Sequence, residues 1–254
     1  MTSIEKALQI EHVRRAFLVA GKRLSVLEDI SFALDAGTWT TLLGPSGCGK
    51  TTLLKILAGL DNPDTGTVRV FGSTGDRRRA SAYLPQADTL LPWRTALENA
   101  VLASEIAGEP MSDARSEARE LFDHFGMSGF EALYPSQLSG GMRQRLSLIR
   151  TFLARRDILL LDEPLGALDP LTRTVLQNWL LEVWKELRKT VLLVTHDIEE
   201  ALVLSDRLLV CSPLPGHIDV DRPVALARPR NRASSELAQQ KAGLLNQLLG
   251  GDHR

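Results

Sequence analysis

The segment GPSGCGKT, Gly44 to Thr51, sets glycines around a lysine and a threonine in the pattern GxxxxGK[ST]. It follows a short apolar run, TWTTLLG, and precedes KTTLLKILAGL, whose Leu53, Ile56, Leu57 and Leu60 have helical spacing. That is the context a phosphate-binding loop requires. Glycines let the chain turn tightly and aim successive backbone N–H groups at one anion. The helix behind adds the positive end of its dipole. Lys50 then supplies a point charge to the β- and γ-phosphates of a nucleotide, and the Thr51 hydroxyl can ligate Mg²⁺. Cys48, inside the loop beside Lys50 and a helix N-terminus, sits where thiol pKa values fall.

Acidic and imidazole groups stand at the ends of two other apolar runs. DILLLDEP leads into Asp162 and Glu163, and TVLLVTH leads into His196. In an open parallel sheet, ligands bind beyond the carboxyl ends of the strands. Asp162 is thus placed to hold Mg²⁺, directly or through water, and Glu163 to orient or deprotonate an attacking water. Without the glycine loop, a carboxylate pair before Pro164 would read as a strand end and His196 as a structural histidine. With it, His196 becomes a candidate sensor of the γ-phosphate.

LSGGMRQR, Leu138 to Arg145, opens a good helix with two glycines, although glycine costs about 1 kcal/mol against alanine inside a helix. A second anion site explains the choice: Ser139 offers a hydroxyl, and Gly140 and Gly141 leave backbone N–H groups open at a helix N-terminus. The first loop already holds one terminal phosphate, so the second site makes sense if it serves the nucleotide of another subunit.

The elements that must position these groups follow from periodicity. LQIEHVRRAFLV and LSVLEDISFAL alternate as antiparallel strands, and TVRVFG and SAYLPQ read as short strands. Buried strands alternating with helices imply a parallel core sheet. A helical block over 97–137, broken at GEPMSD with Ser112 as its N-cap, interrupts that alternation and reads as an inserted lobe. The tail places Leu237, Leu244, Leu245, Leu248 and Leu249 on one helical face that closes the core.

In order and spacing, this sequence resembles the ATP-binding subunits of ABC transporters over residues 8–212. GPSGCGKT looks like their Walker A, YLPQ their Q-loop, LSGGMRQR their signature, LLLDEP their Walker B, ALD their D-loop and VTHD their H-loop. Met142 stands where the usual signature has glutamine. The resemblance implies an α/β P-loop NTPase fold with a parallel core sheet, an antiparallel β subdomain and an inserted α-helical lobe. It implies one ATP-binding domain over 1–254, with the lobe at about 87–140 and a short C-terminal extension from 216. It further implies a head-to-tail dimer sandwiching two ATP molecules. Gly44, Pro45, Ser46, Gly47, Cys48, Gly49, Lys50, Thr51 and Thr52 of one copy would face Ser139, Gly140 and Gly141 of the other. Gln86 would touch Mg²⁺, Glu163 would be the general base, His196 would hold the γ-phosphate and Asp169 would cross the interface. Asp169 before Pro170 is also a good helix N-cap. Phe17 is the candidate for stacking on adenine, with a place in the core as its plainer role.

ADTLLPWRTALENA after Gln86, the stretch from Leu171 to Val210 and RPRNR near the C-terminus look like the nitrate, sulfonate, taurine and thiamine-precursor importers. The expected partners are membrane permease subunits and, through them, a periplasmic or surface solute-binding protein. The expected place is the cytoplasmic face of the inner membrane, with Leu91, Pro92, Trp93 and Arg94 at the docking site unless Trp93 lies in the lobe's own core. A soluble, non-transport ABC ATPase is the alternative. DNA-repair forms, however, carry a coiled coil or zinc module between Gln86 and Ser139, and translation factors carry two cassettes. The net charge of −1 over 254 residues gives no electrostatic case for nucleic acid. The cluster Arg77, Arg78 and Arg79 reads as a solvated turn. Two cysteines suit a reducing compartment, and no apolar run is long enough to span a bilayer.

Overall fold

A computed structural model describes residues 5–250. Strands β1 (Lys6–Val19) and β2 (Lys22–Asp35) form a long antiparallel hairpin, which β4 (Thr65–Val70) extends along β1. The main sheet has the order β5–β6–β7–β3–β8–β9. Its members are β3 (Trp39–Leu43), β5 (Ser81–Leu84), β6 (Ile158–Asp162), β7 (Thr190–Thr195), β8 (Arg207–Cys211) and β9 (Ile218–Pro223). All pairings in it are parallel except β8 with β9. The edge strand β9 alternates half-buried and exposed positions.

The residues of β3, β6 and β7 are all buried, as strands covered on both faces must be. Their side chains divide between two cores with a period of two. Leu159, Leu161, Val191 and Leu193 face the helices, whereas Ile158, Leu160, Leu192 and Val194 face the hairpin and the first helix. Each fully buried leucine adds roughly 1.5–3 kcal/mol over its exposed state, so these central strands fix the register on which the site depends.

Helix α1 (Lys50–Leu57) follows β3, and the one-turn α2 (Arg77–Ala80) precedes β5. Leu60, expected on the buried face of α1, is instead 60% exposed, because Gly59 turns the chain out of the helix at φ +73°. The arginines of α2 are not in the core; Asp76 caps the turn, and Arg78 Nε donates to Gly59 O at 2.9 Å. Between β5 and β6 lie α3 (Ala96–Ala100), α4 (Leu102–Ala107), α5 (Met111–His124) and α6 (Gly140–Leu153). Thr95 and Glu98 form a capping box at α3, which fixes the direction in which the chain enters the lobe. Ser112 is not the N-cap of α5: Pro110 takes that position, and the Ser112 hydroxyl donates to Asp113 Oδ1 within the first turn.

Helix α7 (Pro170–Leu187) packs against the lobe through aromatic rings, with Trp179 at 4.4 Å from Phe125 and 5.7 Å from Phe152. Helix α8 (Ile198–Leu204) is short and buried, and α9 (Ser235–Gly250) lies against it. Leu237 and Leu244 are buried and Leu248 packs on the same core, so the tail closes it as expected. Leu245 differs: it is exposed, one residue round the helix from Leu244. The side chain of Leu249 lies outside the described residues. RPRNR has a structural task, since Arg230 donates to the carbonyls of Leu202, Val203 and Ser205 at the C-terminal end of α8. Arg228 meets Leu204 O and stacks 4.5 Å from the Trp184 ring. These guanidinium groups satisfy carbonyls that a helix end leaves orphaned.

Candidate active site

The glycine loop bridges β3 and α1. Gly49 takes φ +102°, and a Cβ there would stand 2.7 Å from Leu27 Cδ2, so only glycine fits. No side chain caps α1, in contrast to α6, α7 and α8, which Ser139, Asp169 and Asp197 cap. The N–H groups at the start of α1 are therefore left for a ligand, and an anion is what they suit. Lys50 Nζ donates to the carbonyls of Gly44 and Pro45 at 2.8 and 2.7 Å, folded over the loop it would share with a phosphate.

At the ends of the neighbouring strands, Asp162 and Thr51 meet directly: Thr51 Oγ1 donates to Asp162 Oδ2 at 2.7 Å. Tyr83 OH lies 3.5 Å from the same oxygen. Burial pushes the Asp162 carboxyl up from its ordinary value and the Glu163 charge adds to this, while the Thr51 hydroxyl and Lys50 pull it down. The Tyr83 phenol is pushed up, first by burial and then by the Asp162 charge. A buried carboxylate beside a hydroxyl is a hard-oxygen pair whose charged form a cation would favour, so the residues fit Mg²⁺. Among the described residues no group of three or more His, Cys, Asp or Glu side chains forms a denser metal cluster.

Glu163 stands at the meeting of three elements. Its carboxylate Oε1 is 3.2 Å from His196 Nδ1, and Gln86 Nε2 donates to Oε2 at 3.4 Å. Its backbone is left-handed, φ +49°, which is uncommon for a residue with a side chain. Glu163 and Gln86 line two adjoining cavities. One, of about 410 Å³, is lined by Phe17, Ser46, Gly47, Lys50, Thr51 and Thr52 with Asp162. The other, of about 540 Å³, is lined by Gly140, Arg143, Gln144, Ala167 and His196. Phe17 is 37% exposed beside the glycine loop, and the Arg15 guanidinium covers its ring at 4.8 Å. That leaves Phe17 out of the core, with Arg15 on one face of its ring.

The remaining candidates are Ser139, Gly140, Gly141 and Asp169, with Cys48 in the glycine loop and Trp93 in the helical lobe. Ser139 caps α6 by accepting from Met142 N–H at 3.2 Å, and Asp169 caps α7 by accepting from Thr172 N–H at 3.0 Å. Neither these two nor Gly140 and Gly141 line the cavity of Lys50, among the described residues. Cys48 is buried rather than open, 3.7 Å from Lys50 Nζ, and Cys211 Sγ is 3.7 Å from the Cys48 carbonyl. Trp93 is 70% exposed, so it is not part of the lobe's core, and Arg94 beside it pairs with Glu105.

Tyr83 and Gln144 also contribute, although local sequence marks neither as a site residue. Tyr83 was visible only as the first letter of YLPQ. Gln144 is marked in LSGGMRQR only as an amide on the first turns of a helix.

Residues 27–166 match the family described as ABC transporter. The formylaminopyrimidine import ATP-binding protein ThiZ of Halalkalibacterium halodurans is 40% identical over 245 residues, covering 95% of this chain and 94% of its own. The aliphatic sulfonates import ATP-binding protein SsuB 1 of Rhodococcus jostii is 45% identical over 229 residues, covering 90% and 89%. Among solved structures, the dimeric bacterial ABC transporter cassette MJ0796 is similar at a TM-score of 0.79 and 27% identity, covering 87% of this chain and 100% of that one. The same cassette in a post-hydrolysis state bound to ADP and Pi gives a TM-score of 0.77 at 27% identity, over 87% and 100% of the two chains.

Proposed function

Because this chain belongs to the ABC transporter family, we propose that it is the ATP-hydrolysing subunit of an importer for a small solute of the sulfonate, nitrate, taurine or thiamine-precursor kind. Two copies pack head to tail, so that each ATP lies between the glycine loop of one and Ser139, Gly140 and Gly141 of the other. The observation that carries this reading is the separation of those two half-sites within one chain: the cavity of Lys50 and Thr51 contains none of residues 139–141 among the described residues. A site that is incomplete in one copy calls for a second.

In this reading Lys50 leaves the carbonyls of Gly44 and Pro45 for the β- and γ-phosphates, while the open N–H groups of α1 hold the phosphate oxygens. Phe17 stacks on adenine. Thr51, Asp162 and Gln86 would hold Mg²⁺, which when bound neutralises charge developing on the phosphates. Glu163 takes the proton of a water whose oxygen attacks the γ-phosphorus, and the bond to the ADP oxygen breaks. His196 orients Glu163 and the γ-phosphate together, and Asp169 contacts the second copy while capping its own helix.

No described helix is long and apolar enough to cross a membrane, so attachment to the cytoplasmic face of the inner membrane comes through permease subunits. Trp93, with Leu91 and Pro92, is the proposed contact. The non-transport alternative is disfavoured, because relatives that match nearly the whole chain are named for import. Tagged chain expressed in its own cells separates the two. Copurification with a membrane permease, and ATPase stimulated by a solute in the reconstituted complex, is the expected result. Copurification with DNA or ribosomes overturns it.

A further inference from the structure

The catalytic base proposed above is held by Gln144, which lies in LSGGMRQR behind the serine and the two glycines. Gln144 lies on α6, five residues after its cap Ser139, roughly 7 Å along the helix axis. Its amide is used at both ends. Nε2 donates to the backbone carbonyl of Glu163 at 2.9 Å, and Oε1 accepts from the Ala167 N–H at 2.9 Å. The same Glu163 carbonyl accepts from Gly166 N–H at 3.2 Å, and Glu163 N–H donates to Val194 O at 2.9 Å.

These bonds surround a main chain that would not choose its conformation alone. Glu163 is left-handed at φ +49°, and such residues persist where their surroundings over-determine them. The conformation has a consequence for the site. The backbone of Glu163 is pinned by Gln144 on one side and β7 on the other, and the carboxylate faces His196 and Gln86. The start of α6 also touches the 165–168 turn directly, since a Cβ on Gly141 would stand 3.3 Å from Leu168 Cδ2. Arg143, one residue before Gln144, joins α6 to Asp88 after the Q-loop at 2.7 Å. The N-terminal turns of α6 are thus tied to the base, to the turn after it and to the segment after Gln86.

We propose that Gln144 is a positioning residue, which fixes the main chain of Glu163 and makes the helix that grips the partner's nucleotide the same body that aims the base at this chain's own. The second half of this statement rests on the head-to-tail reading; the first does not. Only an amide suits the place, because it offers a donor and an acceptor on one short group. Methionine has the same reach with neither. Glutamate keeps the acceptor for Ala167 but turns a second acceptor towards the Glu163 carbonyl.

The full-length chain carrying Gln144→Met, and separately Gln144→Glu, tests this. Turnover of ATP is expected to fall roughly ten- to hundred-fold in both, the range for small misplacements of a reacting group. The KM for ATP should stay within about two-fold, since no ground-state contact to the nucleotide is lost. In the Glu163→Gln background, Gln144→Met should lower the residual rate no further, because a positioning residue has nothing to act on once the base is gone. ATP-driven dimerisation of that double variant should persist. Turnover within about two-fold of the parent overturns the proposal. So does a loss of ATP affinity equal to the loss of rate, or a multiplicative loss in the double variant. Failure of Glu163→Gln alone to dimerise with ATP would instead sink the head-to-tail reading, while the turnover of Gln144→Met still decides whether the base is held from α6.

Discussion

Glu163 Oε1 lies 3.2 Å from His196 Nδ1, across the gap between the ends of the adjacent parallel strands β6 and β7. The contact joins a carboxylate that can take a proton to an imidazole that can hold it in place, on two strands whose register is fixed by a buried core. Neither strand is free to slip, because a one-residue shift would send every side chain to the opposite face. Glu163→Gln removes the basicity and keeps the shape and the contact to Gln86. We expect turnover to fall about 10²- to 10⁴-fold, the usual worth of a general base, while ATP binding and ATP-driven dimerisation persist. Steady-state ATPase assays together with light scattering check this; undiminished turnover removes Glu163 from the base role.

Ser139 provides the second test, because its hydroxyl already has a partner. It accepts from Met142 N–H at 3.2 Å, so Ser139→Ala costs about 1 kcal/mol of helix capping before any nucleotide is considered. A bulky cation there is different. Ser139→Arg is expected to abolish hydrolysis while leaving ATP affinity of the single chain nearly intact, since Ser139 is not in the cavity of Lys50. Equilibrium binding of a fluorescent ATP analogue to dilute protein reads the affinity. If that binding disappears with the hydrolysis, the two half-sites belong to one chain after all.

Much of this site is legible in the sequence for a physical reason: its parts are backbone features. A glycine that must sit at φ +102° against Leu27, or carboxylates that end a buried strand, leave a mark in residue type and spacing. The same holds for Asp169 before Pro170 and for the alternation in β1 and β2. What the sequence hides depends on tertiary packing. Whether Trp93 is buried in the lobe or stands open follows from how α3 and α4 fold back, which no local pattern states. Leu60 and Leu245 have helical spacing, yet a left-handed Gly59 and the contact angle of α9 leave them in solvent. Gln144 is silent in one dimension, because its meaning lies in a carbonyl and an N–H from a strand end far along the chain.

Trp93 gives the third prediction. An indole 70% exposed loses apolar area to water that a partner would cover. Arg94 pairs with Glu105 behind it, so the loop is held in place without the indole. Trp93→Ala is expected to leave the basal ATPase of the isolated subunit unchanged and to weaken its association with the permease complex about ten-fold or more, as loss of an aromatic anchor does. Pull-down on permease-containing membranes or nanodiscs measures the association. Full binding by the variant moves the docking site elsewhere on the molecule.

Cys48 carries the last prediction, and its burial changes what an exposed thiol would do. The neighbouring Cys211 thiol lowers the Cys48 thiol from its ordinary value, burial opposes this, and the charge of Lys50, with its ammonium 3.7 Å away, lowers it further. The Cys211 thiol is pushed the other way, up, by Cys48 and by burial. Thiolate at Cys48 is therefore present at a pH where a free cysteine, with a pKa of about 8.5, is still protonated. The sign follows: as pH rises through the lowered value the reactive form fills, and the alkylation rate levels off before the free thiol's midpoint. The absolute rate is expected to be slow, because a side chain 1% exposed is reached only when the glycine loop opens. ATP should slow it further by holding that loop closed around its phosphates. Inactivation by N-ethylmaleimide at a series of pH values, with and without ATP, measures both effects, and Cys48→Ser identifies the thiol responsible. A rate that is indifferent to ATP, or one that climbs up to the free thiol's midpoint, places the reactive group away from the phosphate loop.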